Sequence, residues 1–263
     1  MMVFDNFVFV HLPKTGGTFV EQVLKTLHCP SWIGQKIHGM QRRLGITIPF
    51  YPYKYREHRK HAECRFIPQK DQGKVIVSCV RNPYDLYISH YKFGWWKKHP
   101  QEFYASGSEI YKRSILEPAK VTFADWVHGM CDHGIWVIDR RQSCPGVDVG
   151  FAASEFAAYF CKESDLVLSQ PTEAQMATEF ERSKYNVQFL RMESLNEQLF
   201  QFLRERGYPE ERVAFIRTKD KIFPGRQTRS ASDSTDKFFT PELKALVRQK
   251  ERLLFALFPE YDH

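Results

Sequence analysis

Over 263 residues no apolar run approaches the roughly 20 residues a membrane-spanning helix requires; stretches such as Phe7 to Val10 and Val75 to Val77 are far shorter. The six cysteines, at 29, 64, 79, 131, 144 and 161, form no Cys-x-x-Cys pair and no regular spacing. That argues against a zinc ribbon or redox dithiol and for scattered reduced thiols. No Asn is followed two residues later by Ser or Thr, so there is no N-glycosylation sequon. No basic leader precedes an apolar block: Asp5 and Asn6 run straight into Phe7-Val8-Phe9-Val10, which reads as a strand, and a cytoplasmic protein is expected. The Walker nucleotide loop is missing as well. The one Gly-Lys pair, Gly73-Lys74, is followed by Val75 and has Pro68 where the first glycine should stand.

What is present is an ordinary folding composition, 43% hydrophobic, 26% charged and 15% aromatic, long enough to build a core without crosslinks. The net charge of +7 is uneven. Between Lys36 and Lys70 nine basic residues face two acids, interleaved with Tyr51, Tyr53 and Tyr55, while the rest of the chain balances. Such a segment can attract a polyanion, or can be a solvated basic face with no partner.

The periodicity alternates. Val3 to His11 reads as a buried strand, Thr18 to Leu27 as a helix with Phe19, Val23, Leu24 and Leu27 on one stripe, and Lys74 to Val80 as a second buried strand. Asn82-Pro83 supplies an N-cap and a first-turn proline for a helix running towards Trp96. Further elements are expected as a helix over Thr122 to Met130, a strand over Val187 to Met192, a helix over Ser194 to Arg206, and a terminal helix capped by Thr240-Pro241. Ile222 to Asp236 reads as an exposed loop and a candidate lid. The expected fold is α/β: a P-loop-like parallel central sheet flanked by helices, one domain over residues 1–263 with insertions, the segment from Lys36 to Gln72 separating two neighbouring strands.

The most informative stretch is Phe7 to Phe19, a strand that delivers the chain to Pro13-Lys14-Thr15-Gly16-Gly17-Thr18 and then to a helix. Glycines let backbone N–H groups turn inward, and the helix start offers unpaired donors and a positive dipole end to an anion. Lys14 adds a point charge, and Thr15 and Thr18 are expected to add hydroxyl donors. A second strand ends in Arg81-Asn82-Pro83, with the guanidinium as a fork suited to phosphate and Ser89 two turns into the following helix.

Pro13 to Thr18 resembles the 5′-phosphosulfate loop of sulfotransferases that use 3′-phosphoadenosine 5′-phosphosulfate (PAPS). Val77 to Tyr91, with Arg-Asn-Pro-Tyr-Asp and a serine eight residues after the arginine, is similar to the same family's 3′-phosphate segment. Arg191-Met192-Glu193-Ser194-Leu195 resembles a late R-x-E-x-L element, and Thr228 to Tyr261 the C-terminal loop and helix. The pattern looks closest to the carbohydrate-type, family-2 group, with Pro100 to Pro171 unmatched and expected to shape the acceptor pocket.

The resemblance implies PAPS as donor and 3′-phosphoadenosine 5′-phosphate (PAP) as product, with no metal. Lys14 would contact the leaving oxygen, the backbone of Thr15, Gly16, Gly17 and Thr18 would hold the 5′-phosphate, and Arg81 and Ser89 the 3′-phosphate; Arg226 and Arg229 would close over the nucleotide. A histidine suits the general base because its pKa lies near neutrality. His38 is expected in that role, with His58 and His61 as rivals. His11 is expected to pack at the strand end, Glu21 to face solvent, and Tyr91, Trp95 and Trp96 to form core or acceptor-pocket wall. The acceptor is a hydroxyl, of a glycan first and of a tyrosine or small molecule otherwise. The alternatives are a non-catalytic polyanion binder on the same scaffold, with contacts through Lys36 to Lys70, and a phosphoryl transferase.

Overall fold

A computed structural model describes residues 1–28, 55–57, 59–104, 107–133, 148–220 and 235–262. The elements used below are β1 (Met2–Phe4), β2 (Phe7–Phe9), α1 (Gly17–His28), β3 (Tyr55–Glu57), β4 (Val75–Val80), α2 (Pro83–Phe93), α3 (Trp95–Lys98), α4 (Phe123–His133), α5 (Phe151–Phe160), α6 (Glu173–Ser183), β5 (Val187–Arg191), α7 (Leu195–Glu205), α8 (Pro241–Lys250) and α9 (Arg252–Leu257). They fall into two compact units, Met1–Arg81 with Asn186–Gln227, and Asn82–Tyr185 with Thr228–His263.

The first unit carries a five-stranded sheet in the order β3-β1-β2-β4-β5. Its centre is parallel as expected: β2 pairs with β4 in the register Phe7↔Val75, and β4 pairs with β5 in the register Ile76↔Val187. The run from Val3 to His11 is two strands rather than one. It reverses at the exposed pair Asp5-Asn6, so that β1 lies antiparallel to β2 with Met2 opposite Phe9. Asp and Asn favour turns because their side chains bond locally to the backbone. Phe4 and Phe7 then stack across the turn, centroids 4.5 Å apart. With β3 antiparallel to β1 at the edge, the sheet is mixed.

α1 and α7 cover one face. Phe19, Val20, Val23, Leu24 and Leu27 of α1 meet Leu195, Leu199, Phe202 and Leu203 of α7 over Phe7, Phe9, Val77 and Leu190 of the strands. That apolar burial, at ~25 cal/mol per Å², fixes the ends of β2 and β4 side by side. Val10 N–H donates to Val77 O at 3.0 Å and Ser78 Oγ to Val10 O at 2.8 Å.

The second unit is helical and aromatic. Asn82 Oδ1 accepts from Tyr84 N at 2.9 Å to cap α2, with Pro83 in the first turn, as expected. The helix expected to reach Trp96 stops at Phe93: Gly94 takes φ +67° and α3 starts anew. The terminal helix is likewise two helices, α8 and α9, meeting at Glu251. α4 and α5 fill part of the stretch for which the sequence offered no family match. Thr235–Phe238, which overlaps the last two residues of the expected loop, is a short helix, and residues 221–234 lie outside the described residues.

Glu251 is fully buried. Its Oε1 accepts from the Tyr87 hydroxyl at 2.6 Å, its two oxygens accept from Ala152 and Ala153 N–H at 3.2 and 2.6 Å, and it thereby caps α5. Burial pushes its carboxyl up to about 7 against the pull of these donors. The folded chain therefore holds more protons than the unfolded chain between the ordinary 4.5 and about 7, and stability contributed here falls as pH rises through that window. Glu251→Gln is expected to flatten this slope in denaturant titrations across pH. Glu251→Ala, which strands a hydroxyl and two amides, is expected to cost about 3–5 kcal/mol.

Candidate anion-binding site at the strand ends

Because β2 and β4 are parallel, their carboxyl ends open on the same edge of the sheet, where α/β proteins place ligands. From β2 the chain passes through Val10, His11 and Leu12 into a turn over 13–16, and α1 begins at Gly17. Lys14 has φ +61°, the left-handed region that costs a non-glycine residue about 1–3 kcal/mol. The turn is held from two sides. Arg81, leaving β4, donates from Nη1 to the Lys14 carbonyl at 3.2 Å, and Thr15 Oγ1 donates to Leu12 O at 2.9 Å.

This corrects one expectation. The Thr15 hydroxyl proton is used inside the loop, so Thr15 can offer an anion its backbone but not its hydroxyl donor. Thr18 is half-buried on the first turn of α1.

Two glycines serve different ends. Gly16, at φ +97°, has Leu195 Cδ2 2.8 Å and Met192 Cγ 3.4 Å from where a Cβ would sit. The Arg191-to-Leu195 element thus buttresses the loop through its apolar side chains. Gly17 makes room for His11, whose Cδ2 and Nε2 would lie 2.3 and 2.6 Å from an added Cβ. Gly17→Ala is therefore expected to displace either the imidazole or the helix start, costing about 1–3 kcal/mol in denaturant stability and weakening anion binding in the same variant.

Lys14 and Arg81 stand together. Burial first, and the Arg81 guanidinium second, lower the Lys14 pKa to about 8, leaving it protonated at neutral pH. An anion set between the two cations reverses that repulsion.

Behind them lies a group that sequence reasoning missed. Glu21 does not face solvent: its carboxylate lies 2.6 Å from Lys25 Nζ, 3.5 Å from Lys60 Nζ and 3.5 Å from His11 Nδ1. Burial opposes its charge, but His11 and the two lysines hold its pKa well below the usual range. His11 is buried, and desolvation keeps its pKa below the ordinary value despite Glu21. His61 approaches His11 O through Nδ1 at 3.1 Å, ring centroids 4.8 Å apart, and its pKa falls to about 4, by burial first and His11 second. A His at the strand end and a Glu one turn into α1 was the available signal, but the strand end alone does not reveal that α1 folds back over it.

Of the expected site residues, the structure brings together Lys14, Thr15, Gly16, Gly17, Thr18 and Arg81 in the first unit. Ser89 is half-buried on α2 in the second unit. His38, Arg226 and Arg229 lie outside the described residues, as does His58. Among the described residues no cluster of His, Cys, Asp or Glu is placed to hold a metal ion, and no helix is long and apolar enough to cross a membrane.

Strand, glycine turn, helix start and paired cations at the carboxyl ends of adjacent parallel strands define an α/β protein with a P-loop-like anion cradle. The family model described as the sulfotransferase family matches residues 3–258, nearly the whole chain, and the chain belongs to that family. No curated protein and no solved structure matches the chain.

Proposed function

We propose that this sulfotransferase takes its sulfuryl group from PAPS and delivers it to a carbohydrate hydroxyl. The observation that carries the reading is the tie between Arg81 and the Lys14 carbonyl, which joins the two motifs of a two-phosphate ligand at neighbouring strand ends. In the reaction the acceptor oxygen attacks sulfur, the bond from sulfur to the phosphate oxygen breaks, PAP leaves with the bonding pair, and the acceptor proton passes to a base.

Each residue has a place in that scheme. Lys14 neutralises charge growing on the leaving oxygen, and the amides of Thr15, Gly16, Gly17 and Thr18 hold the 5′-phosphate. Arg81 and Ser89 hold the 3′-phosphate, Arg226 and Arg229 close over it, and His38 accepts the proton. Positioning and charge stabilisation then supply most of the acceleration, with no step assigned to a metal. Cys79 and Cys131 are buried thiols whose pKa values burial raises, so neither is poised to react.

The test is thermal stabilisation by PAP, compared with ATP with and without Mg²⁺. PAP is expected to raise Tm more than ATP under either condition; a larger Mg²⁺-dependent shift with ATP would instead indicate phosphoryl transfer. Polyanion binding with no PAP shift and no turnover would indicate a non-catalytic binder. His38→Ala is expected to depress turnover while leaving the PAP shift intact, and full activity in that variant would move the base elsewhere.

A further inference from the structure

The imidazole of His11 lies along the first turn of α1. Its Cδ2 and Nε2 edge fills the space that Gly17 leaves open, and its Nδ1 stands 3.5 Å from a carboxylate oxygen of Glu21, four residues further along the same helix face. The residue is 4% exposed, and its Nδ1 makes no hydrogen bond among the described residues. The 3.5 Å separation is an ion-pair distance, longer than the roughly 2.8 Å of a charge-assisted bond. Polar atoms this enclosed are normally satisfied, so the contact is a half-made pair that a proton and a small shift would complete.

The surrounding charges are finely set. Glu21 stays anionic, held by His11, by Lys25 Nζ at 2.6 Å and by Lys60 Nζ at 3.5 Å. Burial is what lowers the His11 pKa from the ordinary 6.5; Lys60 and the Met1 amino group add to it, while Glu21 pulls the other way. His61 approaches the His11 carbonyl rather than its ring nitrogens, and with a pKa of about 4 it stays neutral. Lys14 and Arg81, tied together at the loop, are the other cations of the site. Against this background, negative charge brought to the amides of Gly17 and Thr18 favours a proton on the imidazole packed behind them.

We infer that His11 is a positioning residue for the donor's 5′-phosphate: it takes up a proton as the anion settles on the first amides of α1, and Glu21 holds the resulting imidazolium against the helix start. This rests on the proposed PAPS donor. The proton ties the end of β2 to α1 by a charge-assisted bond, which steadies the amides, and places one more positive charge behind the leaving phosphate. Because the liganded chain then holds more protons than the empty one, donor affinity rises as pH falls from neutrality towards the His11 pKa of the empty site.

The experiment is calorimetric titration of PAP into the full chain at pH 6.5, in buffers of differing ionisation enthalpy, which reads the protons taken up per ligand bound. The phosphates of PAP and the Lys14 ammonium are common to every variant, so differences between variants isolate the imidazole. Wild type is expected to take up about half a proton more than His11→Asn. Glu21→Gln, which keeps the imidazole but removes its counter-charge, is expected to lose most of that excess, and His61→Gln to keep it. A purely structural role for His11 would lower Tm or affinity and leave the proton count alone. Equal uptake by wild type and His11→Asn, an excess that survives Glu21→Gln, or its loss in His61→Gln would overturn the inference. If His11→Asn does not fold, Glu21→Gln decides. His11-dependent uptake with pyrophosphate, in a chain that does not bind PAP, would uphold this role while refuting the PAPS reading.

Discussion

Lys14→Ala is expected to lower turnover by about 10²–10³ if the ammonium stabilises charge developing on the leaving phosphate. Alanine bears the same left-handed penalty as lysine at φ +61°, so the variant removes the charge without relieving the backbone. The Arg81 tie to the Lys14 carbonyl does not involve the side chain and should survive, keeping the loop in place. Nucleotide binding should weaken less than turnover, because the loop amides and Arg81 remain; sulfate transfer at the wild-type rate would reject the role. The pH dependence gives a second readout. With its pKa lowered to about 8, Lys14 is charged and active below that pH and loses its proton above it, so wild-type kcat/KM in the free enzyme should fall on the alkaline side. Lys14→Arg, if it retains measurable activity, should lack that alkaline limb because a guanidinium stays protonated.

Arg81→Ala is expected to weaken PAP binding about 10- to 100-fold, the loss of charge-assisted hydrogen bonds to a phosphate group. The structure adds a second consequence. Arg81 also steadies the strained Lys14 carbonyl, so adenosine 5′-phosphate should lose some affinity too, through the loop rather than the 3′ end. The excess loss for PAP over adenosine 5′-phosphate measures 3′-phosphate recognition. Equal losses for the two nucleotides would leave Arg81 only its loop-supporting role. Calorimetric titration of both nucleotides against wild type and variant decides between them.

The sequence made the cradle legible because its features are local. A buried strand, glycines beside a lysine and a helix start follow one another without a break, and Asn82-Pro83 caps the next helix by its own side chain and ring. It could not place Glu21, which reads as one more polar residue on an amphipathic helix until α1 packs back over β2 and brings it to His11, with Lys60 from a distant stretch. The purpose of Leu195 was hidden for the same reason: a leucine after R-x-E-x reads as core, and only the fold shows it against Gly16.

The strand reversal at Asp5-Asn6 was missed because an unbroken apolar run looks alike whether it extends or doubles back. The sequence by itself determined the parallel strand pair, the glycine turn between strand and helix, and the lysine and arginine that stand at the strand ends, because these depend on neighbours a few residues apart. Only the tertiary structure decided which hydroxyl the loop consumes, which carboxylate comes beside the strand-end imidazole, and which of two adjacent tryptophans faces water. Those outcomes depend on side chains brought together from distant parts of the chain, and no local pattern records them.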